Sequence, residues 1–163
     1  MGVFEQLLAN NAAYVEREAP APLDVRPTLE LAIVTCMDSR LDVFAALGLR
    51  HGQAHVLRNA GGIITDDTIR SLALSQRRLG TRSVMLIHHE DCGLQLITEE
   101  GFSRELEEAA GEPPPFAIGA FLDVDASVHA SLERVRSSPF LLHRDRVRGF
   151  VYEISTGRLR EIG

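Results

Sequence analysis

Apolar positions along the chain fall into short β-rich runs separated by stretches of helical spacing. Residues 3 to 17 set Phe4, Leu7, Leu8 and Ala12 at helical intervals among polar residues, and Pro20 and Pro22 close the segment. The spacing predicts an amphipathic N-terminal arm, residues 1–19. On so short a chain its apolar stripe suits a second subunit as well as its own core.

Three strand-then-helix units follow. Leu29 to Thr35 (LELAIVT) is the short apolar run of a strand buried on both faces, and Leu41 to Leu47 after it has helical spacing. AHVLRN (Ala54 to Asn59) precedes a helix from about Asp67 to Leu79, and SVMLIH (Ser83 to His88) precedes another helical stretch. The alternation predicts an α/β fold, a mostly parallel central sheet flanked by helices, in one domain spanning residues 1–163. Glu99 to Pro115 is acidic and breaks at Pro113-Pro114-Pro115, the pattern of a surface excursion. Asp123 or Asp125 can cap a helix carrying Val128, Leu132 and Val135, which Pro139 stops. The end, VRGFVYEISTGRLREI, alternates as a C-terminal β-hairpin turning at Ser155 to Gly157.

Ligands of parallel sheets bind outside the carboxyl ends of the strands, where CMDSR, RNAGG and HHEDCG all fall. Composition narrows what those loops can do. All 17 basic residues are Arg, against 23 acidic ones, for a net charge of −6. Without Lys there is no Schiff base and no phosphate-loop amine. The acidic balance gives no footprint for nucleic acid or an anionic membrane, so the expected partner is a small molecule. No apolar run approaches the roughly 18 residues of a membrane span, and the first residues lack a signal-peptide pattern. A cytoplasmic location with both cysteines reduced is therefore expected.

Cys36 ends the first strand, and His89 and Cys92 form a His-x-x-Cys element after the third. Two thiolates and an imidazole are a borderline-soft set suited to Zn2+, and with no further Cys the fourth position falls to water, a carboxylate or a remote His. The spacing alone equally fits a buried free thiol beside an unrelated His-x-x-Cys. In extended backbone Asp38 and Arg40 would point to the same side as Cys36, giving a carboxylate and a guanidinium beside the metal; taken alone they would be an ordinary ion pair. His88 is expected to pack away from the site, Gly61-Gly62 to wall it, and His51, His55, His129 and His143 have no motif around them.

Cys36-Met37-Asp38-Ser39-Arg40, Arg58-Asn59-Ala60-Gly61 and His89-Glu90-Asp91-Cys92-Gly93 together resemble the pattern of the β-class carbonic anhydrases. The likeness runs over residues 29 to about 93 and returns in the Arg-Gly-Phe-Val-Tyr strand. It implies Cys36, His89 and Cys92 as zinc ligands, Asp38 and Arg40 as the catalytic dyad, and a homodimer or homotetramer with sites at subunit contacts. The implied reaction is reversible hydration of carbon dioxide to bicarbonate, by attack of zinc-bound hydroxide. In part of the family the aspartate of the dyad is a conditional fourth ligand in a closed state, which would be Asp38. Many members have Gly before the ligand histidine and Ser or Thr after it, where this chain has His88 and Glu90. The short chain resembles the compact subgroup, which also resembles a carbonyl sulfide hydrolase. Hydrolysis of carbonyl sulfide is thus an alternative activity, and a non-catalytic bicarbonate- or metal-responsive binding protein an alternative of another class. A thiol-redox role is disfavoured because no Cys-x-x-Cys is present.

Overall fold

The computed structural model describes residues 2–17 and 22–163; residues 1 and 18–21, Pro20 among them, lie outside the described residues. The elements in chain order are α1 (Val3–Arg17), β1 (Leu31–Cys36), α2 (Val43–Leu47), β2 (Ala54–Asn59), α3 (Asp66–Leu79), β3 (Ser83–His89), α4 (Glu99–Ala110), α5 (Val124–Ser137), β4 (Val147–Tyr152) and β5 (Leu159–Ile162).

The strands form one sheet in the order β2-β1-β3-β4-β5, parallel from β2 to β4, with β5 antiparallel to β4. The expected mostly parallel sheet and closing hairpin are both present, and the hairpin turns through Gly157 at φ 73°. β1 is buried along nearly its whole length, as its apolar run requires. Ala32, Val34, Val84, Leu86 and Val151 pack against Leu72 of α3 and Val128, Leu132 and Val135 of α5 on one face. Ile33 and Ile87 pack against Leu41 and Val43 at α2 on the other, where Leu31, Val56 and Met85 stay half-buried. Each fully buried aliphatic side chain of this kind contributes roughly 1.5–3 kcal/mol.

Local signals set the helix ends. α3 starts at Thr65, whose hydroxyl accepts from the Thr68 amide, and stops at Gly80 in the left-handed region at φ 79°. Of the two candidate caps for α5 the chain uses Asp123, which accepts from the Asp125 and Ala126 amides. β3 runs one residue beyond the expected strand because His89 pairs with Tyr152 of β4.

The segment from Glu99 to Pro115 corrects the expectation of a plain excursion, since residues 99–110 are the helix α4. Thr98 caps it, and Phe102 and Leu106, four apart, turn inward against Leu94 and Ile118. A two-residue apolar stripe among glutamates is too sparse to register as helical periodicity. Among the described residues no helix is long and apolar enough to cross a membrane.

Candidate metal centre

β1 and β3 are neighbours, with Thr35 paired to Ile87, so their carboxyl ends finish side by side. β1 ends at Cys36 and β3 at His89, and the chain turns through Asp91, at φ 55°, to bring Cys92 back over them. Left-handed backbone at a non-glycine residue is most readily adopted by Asn or Asp, which explains an aspartate there. One donor atom from each of Cys36, His89 and Cys92 lies within 4.8 Å of the others, and all three residues are buried.

The His89 ring fits a metal by its hydrogen bonding. Its Nδ1 lies 2.8 Å from the Glu90 carbonyl oxygen and so carries the proton, which leaves Nε2 as a lone pair. That buried Nε2 has no hydrogen-bond partner, the state of a nitrogen that expects an electrophile. The thiols agree. The Cys36 thiol is held far below its ordinary range, first by the Cys92 thiol beside it and also by the Asp38 and Gly61 amides, against burial. Cys92 is pushed up, because it would have to ionise beside the Cys36 thiolate and is itself buried. Two thiolates this close repel each other until a dication lies between them. Zn2+ matches this donor set, and the residues present fit it.

Asp38 and Arg40 lie beside the three donors, by a different route from the expected one. The strand has ended at Cys36, and the chain turns. The Asp38 carboxylate accepts from the Arg40 backbone amide at 2.9 Å, an Asx turn that folds the two side chains together. The guanidinium then donates to Asp38 from Nε at 3.0 Å and from Nη2 at 2.8 Å. This fork pulls the Asp38 carboxyl far below its usual range, and Oδ2 sits 3.8 Å from His89 Nε2.

Two supporting residues carried no signal beyond their place inside the motifs. Asp91 takes the other side of the guanidinium, accepting at its Oδ2 from Nη1 at 2.7 Å and at its carbonyl from Nη2 at 2.8 Å. Arg58 donates from Nε to the Cys36 carbonyl at 2.9 Å and from Nη2 to the Asp38 carbonyl at 2.6 Å. Gly61 and Gly62 do form a wall. A Cβ on Gly62 would come within 2.8 Å of the Cys36 amide nitrogen, so no larger residue fits there, and one on Gly61, at φ 75°, would have to displace the Leu94 side chain at 2.4 Å.

His88 packs away as expected. It is fully buried, its Nε2 is 3.4 Å from Ser131 Oγ on α5, and burial pushes its pKa down to about 4. His55 spans Ser75 and the Val25 carbonyl, and His51 meets the edge of Phe44. Neither joins the cluster, nor do His129 and His143.

A parallel sheet carrying a buried Cys-His-Cys group at its carboxyl edge, with a forked carboxylate-guanidinium pair beside it, defines a metal-dependent enzyme of hydration or hydrolysis. The carbonic anhydrase family profile matches residues 31–110. The chain is 44% identical over 162 residues, 99% of each chain, to β-carbonic anhydrase 1 of Mycobacterium tuberculosis. The crystal structure of a carbonic anhydrase from Streptococcus mutans, 40% identical, superposes with a TM-score of 0.93 over 100% of this chain and 99% of that one. A carbon disulfide hydrolase from an Acidianus strain is 32% identical over 155 residues, 80% of this chain and 76% of its own. The chain belongs to the β-carbonic anhydrase family, whose members are zinc enzymes.

Proposed function

We propose that this chain hydrates carbon dioxide reversibly on a Zn2+ ion held by Cys36, His89 and Cys92. The observation that carries the assignment is the convergence of three buried donors, one of them the unpartnered His89 Nε2. When bound there, zinc supplies a Lewis acid that makes water nucleophilic near neutral pH. The chain's own residues do the rest. Asp38 Oδ2, fixed by Arg40, accepts a hydrogen bond from the incoming water and aims its lone pair at the substrate carbon. Because Arg40 holds that carboxyl so low, Asp38 orients a proton more than it stores one. The buried apolar residues Leu94 and Ile118 beside the cysteines exclude bulk water and favour a linear, apolar substrate.

Asp38 has a second role in this proposal, as the fourth zinc ligand of a closed state when Arg40 lets it go. The pair also explains why Arg40 is anchored twice, to Asp38 and to Asp91. Residues 1–163 act as one domain in a cytoplasmic homodimer or homotetramer, with α1 lying on a second copy. In support, α1 buries none of its own residues, and Phe4, Leu7, Leu8 and Val15 are all exposed.

Metal analysis together with a carbon dioxide hydration assay tests the assignment. About one zinc per chain is expected, lost with activity in Cys36→Ser, His89→Ala and Cys92→Ser. Full zinc content in any one of these variants overturns the ligand set. Arg40→Ala should keep its zinc and lose most activity, and parental turnover in that variant removes Asp38 as a switchable ligand. The relationship to carbon disulfide hydrolases at 32% identity supports a second reading, hydrolysis of a sulfur analogue such as carbonyl sulfide or carbon disulfide. Sulfide release faster than carbon dioxide hydration would establish it.

A further inference from the structure

Residues 111–123 contain no helix or strand, yet Ile118 is only 8% exposed and packs with Cys36, Cys92 and Leu94. An irregular segment held against a buried site must find partners for its backbone donors. Here they come from α4 and the loop that carries Cys92. The Glu99 carboxylate accepts three consecutive amides, Ile118 at 2.7 Å, Gly119 at 2.8 Å and Ala120 at 3.2 Å. Gln95 works the same joint from both ends: its Oε1 accepts from the Cys92 amide at 3.1 Å and its Nε2 donates to the Leu122 carbonyl at 3.3 Å.

Gly119 lets the segment bend, at φ 78°, and a Cβ there would come within 2.2 Å of Ile63. Phe121, next along, rests on the His88 ring with centroids 6.1 Å apart. Behind the segment lies a cleft of about 390 Å³, bounded by Gly119 to Asp123 on one side and Ala126, Ser127, Ala130 and Ser131 of α5 on the other. The segment therefore packs Ile118 with the cysteines, borders an open cleft at Gly119 to Asp123, and has three consecutive amides held by one carboxylate.

We propose that Glu99 is a positioning residue, a clasp that keeps Ile118 and Phe121 against the Cys36–Cys92 pair and so sets both the apolar wall of the substrate pocket and access to the metal. The Glu99 carboxyl lies below its usual range, chiefly because the Ile118 amide donates to it, so the clasp stays charged at neutral pH. Gln95 links the same segment to the amide of a metal-binding residue, so release at Glu99 is felt at Cys92.

This inference rests on the metal assignment above, and Glu99→Gln tests it with a readout that does not. The glutamine keeps the size and removes the charge; its NH2 group faces amides that also donate. Three results are expected. Amide hydrogen exchange at Ile118, Gly119 and Ala120 accelerates on the order of tenfold or more, with β1 and β3 unchanged. Zinc transfer from the holoenzyme to a coloured chelator accelerates by a similar factor. KM for carbon dioxide rises several-fold while kcat stays within about twofold.

Unchanged exchange at the three amides overturns the clasp, whatever the metal does. Faster exchange with unaltered zinc transfer and an unaltered KM makes Glu99 a loop anchor only and overturns its role at the site. Gln95→Glu, which keeps the acceptor for Cys92 and places a second acceptor against the Leu122 carbonyl, should speed zinc transfer in the same direction. No change there likewise counts against the link to Cys92.

Discussion

α1 and α5 are helices of 15 and 14 residues with apolar positions at similar intervals, and the fold uses them in opposite ways. α5 is capped by Asp123, buries Val128, Ser131, Leu132 and Val135, and pins its first turn to β5 through Arg160, which donates to the two Asp125 oxygens at 2.9 and 2.8 Å. α1 buries nothing. Periodicity states that a helix has an apolar face; it does not state which surface meets that face. α5 lies over β4, where Gly149 leaves the space that Val128 and Leu132 fill. A Cβ on Gly149 would come within 2.4 Å of Val128 and 3.1 Å of Leu132. Nothing in the described residues offers α1 a comparable seat, and the half-buried side of the sheet at Leu31, Val56 and Met85 stays thinly covered.

The contrast can be broken at either helix. The largest effect should come from Leu132→Ala, which empties a site with 1% exposure in the main core. A loss of about 2–5 kcal/mol in chemical unfolding is expected. A loss below about 1 kcal/mol would mean that α5 is no better seated than α1. Leu7→Ala comes next and should act in a different place. With Leu7 58% exposed, intrinsic stability of the dissociated chain should change by less than about 0.5 kcal/mol. Self-association followed by sedimentation should weaken by about 1.5–3 kcal/mol, the value of covering one leucine. An unaltered association constant would remove α1 from the subunit contact.

Asp125→Asn gives the smallest effect and sharpens the comparison through pH. Arg160 beside Asp125 holds the carboxyl below its usual range. The stabilisation it gives is therefore present above the unfolded carboxyl pKa of about 3.9 and fades as pH falls through the lower folded value. Both partners are exposed, so the parent should exceed the variant by about 0.2–1 kcal/mol at pH 7. The difference should close on acidification below the carboxylate range. A gap that stays constant from neutral to strongly acidic pH would show that packing, not the ion pair, holds that end of α5.

The metal group was legible because its three members sit inside compact motifs at strand ends, and the parallel topology that the βα alternation predicts brings those ends together. The hydrophobic runs placed β1 and β3 within a residue or two, because burial on both faces leaves an uninterrupted apolar signature, and the half-buried edge strand β2 and the alternating hairpin were placed as closely from their spacing and turn. α4 was missed, since its inward contacts are only Phe102 and Leu106 and its other positions carry the charge of an exposed face. The pairing of Asp38 with Arg40 was expected from strand alternation and is made instead by a turn. Side-chain direction in a strand cannot be extended past the residue where the strand ends.

By itself the sequence determined the order of elements, the donor chemistry of Cys36, His89 and Cys92, and an apolar stripe on the N-terminal arm, because each is written in local spacing and residue type. The tertiary structure decided everything that depends on residues distant in the chain. It brought His89, whose Nε2 is left bare, to Cys36 by pairing β3 with β1. It shared Arg40 between Asp38 and Asp91, across 51 residues, and brought the amides of Ile118 to Ala120 onto a carboxylate about 20 positions earlier. Such contacts have no period and no fixed offset. They exist only once the sheet has closed loops of many residues, and the free energy that holds them is that of the packed core beneath.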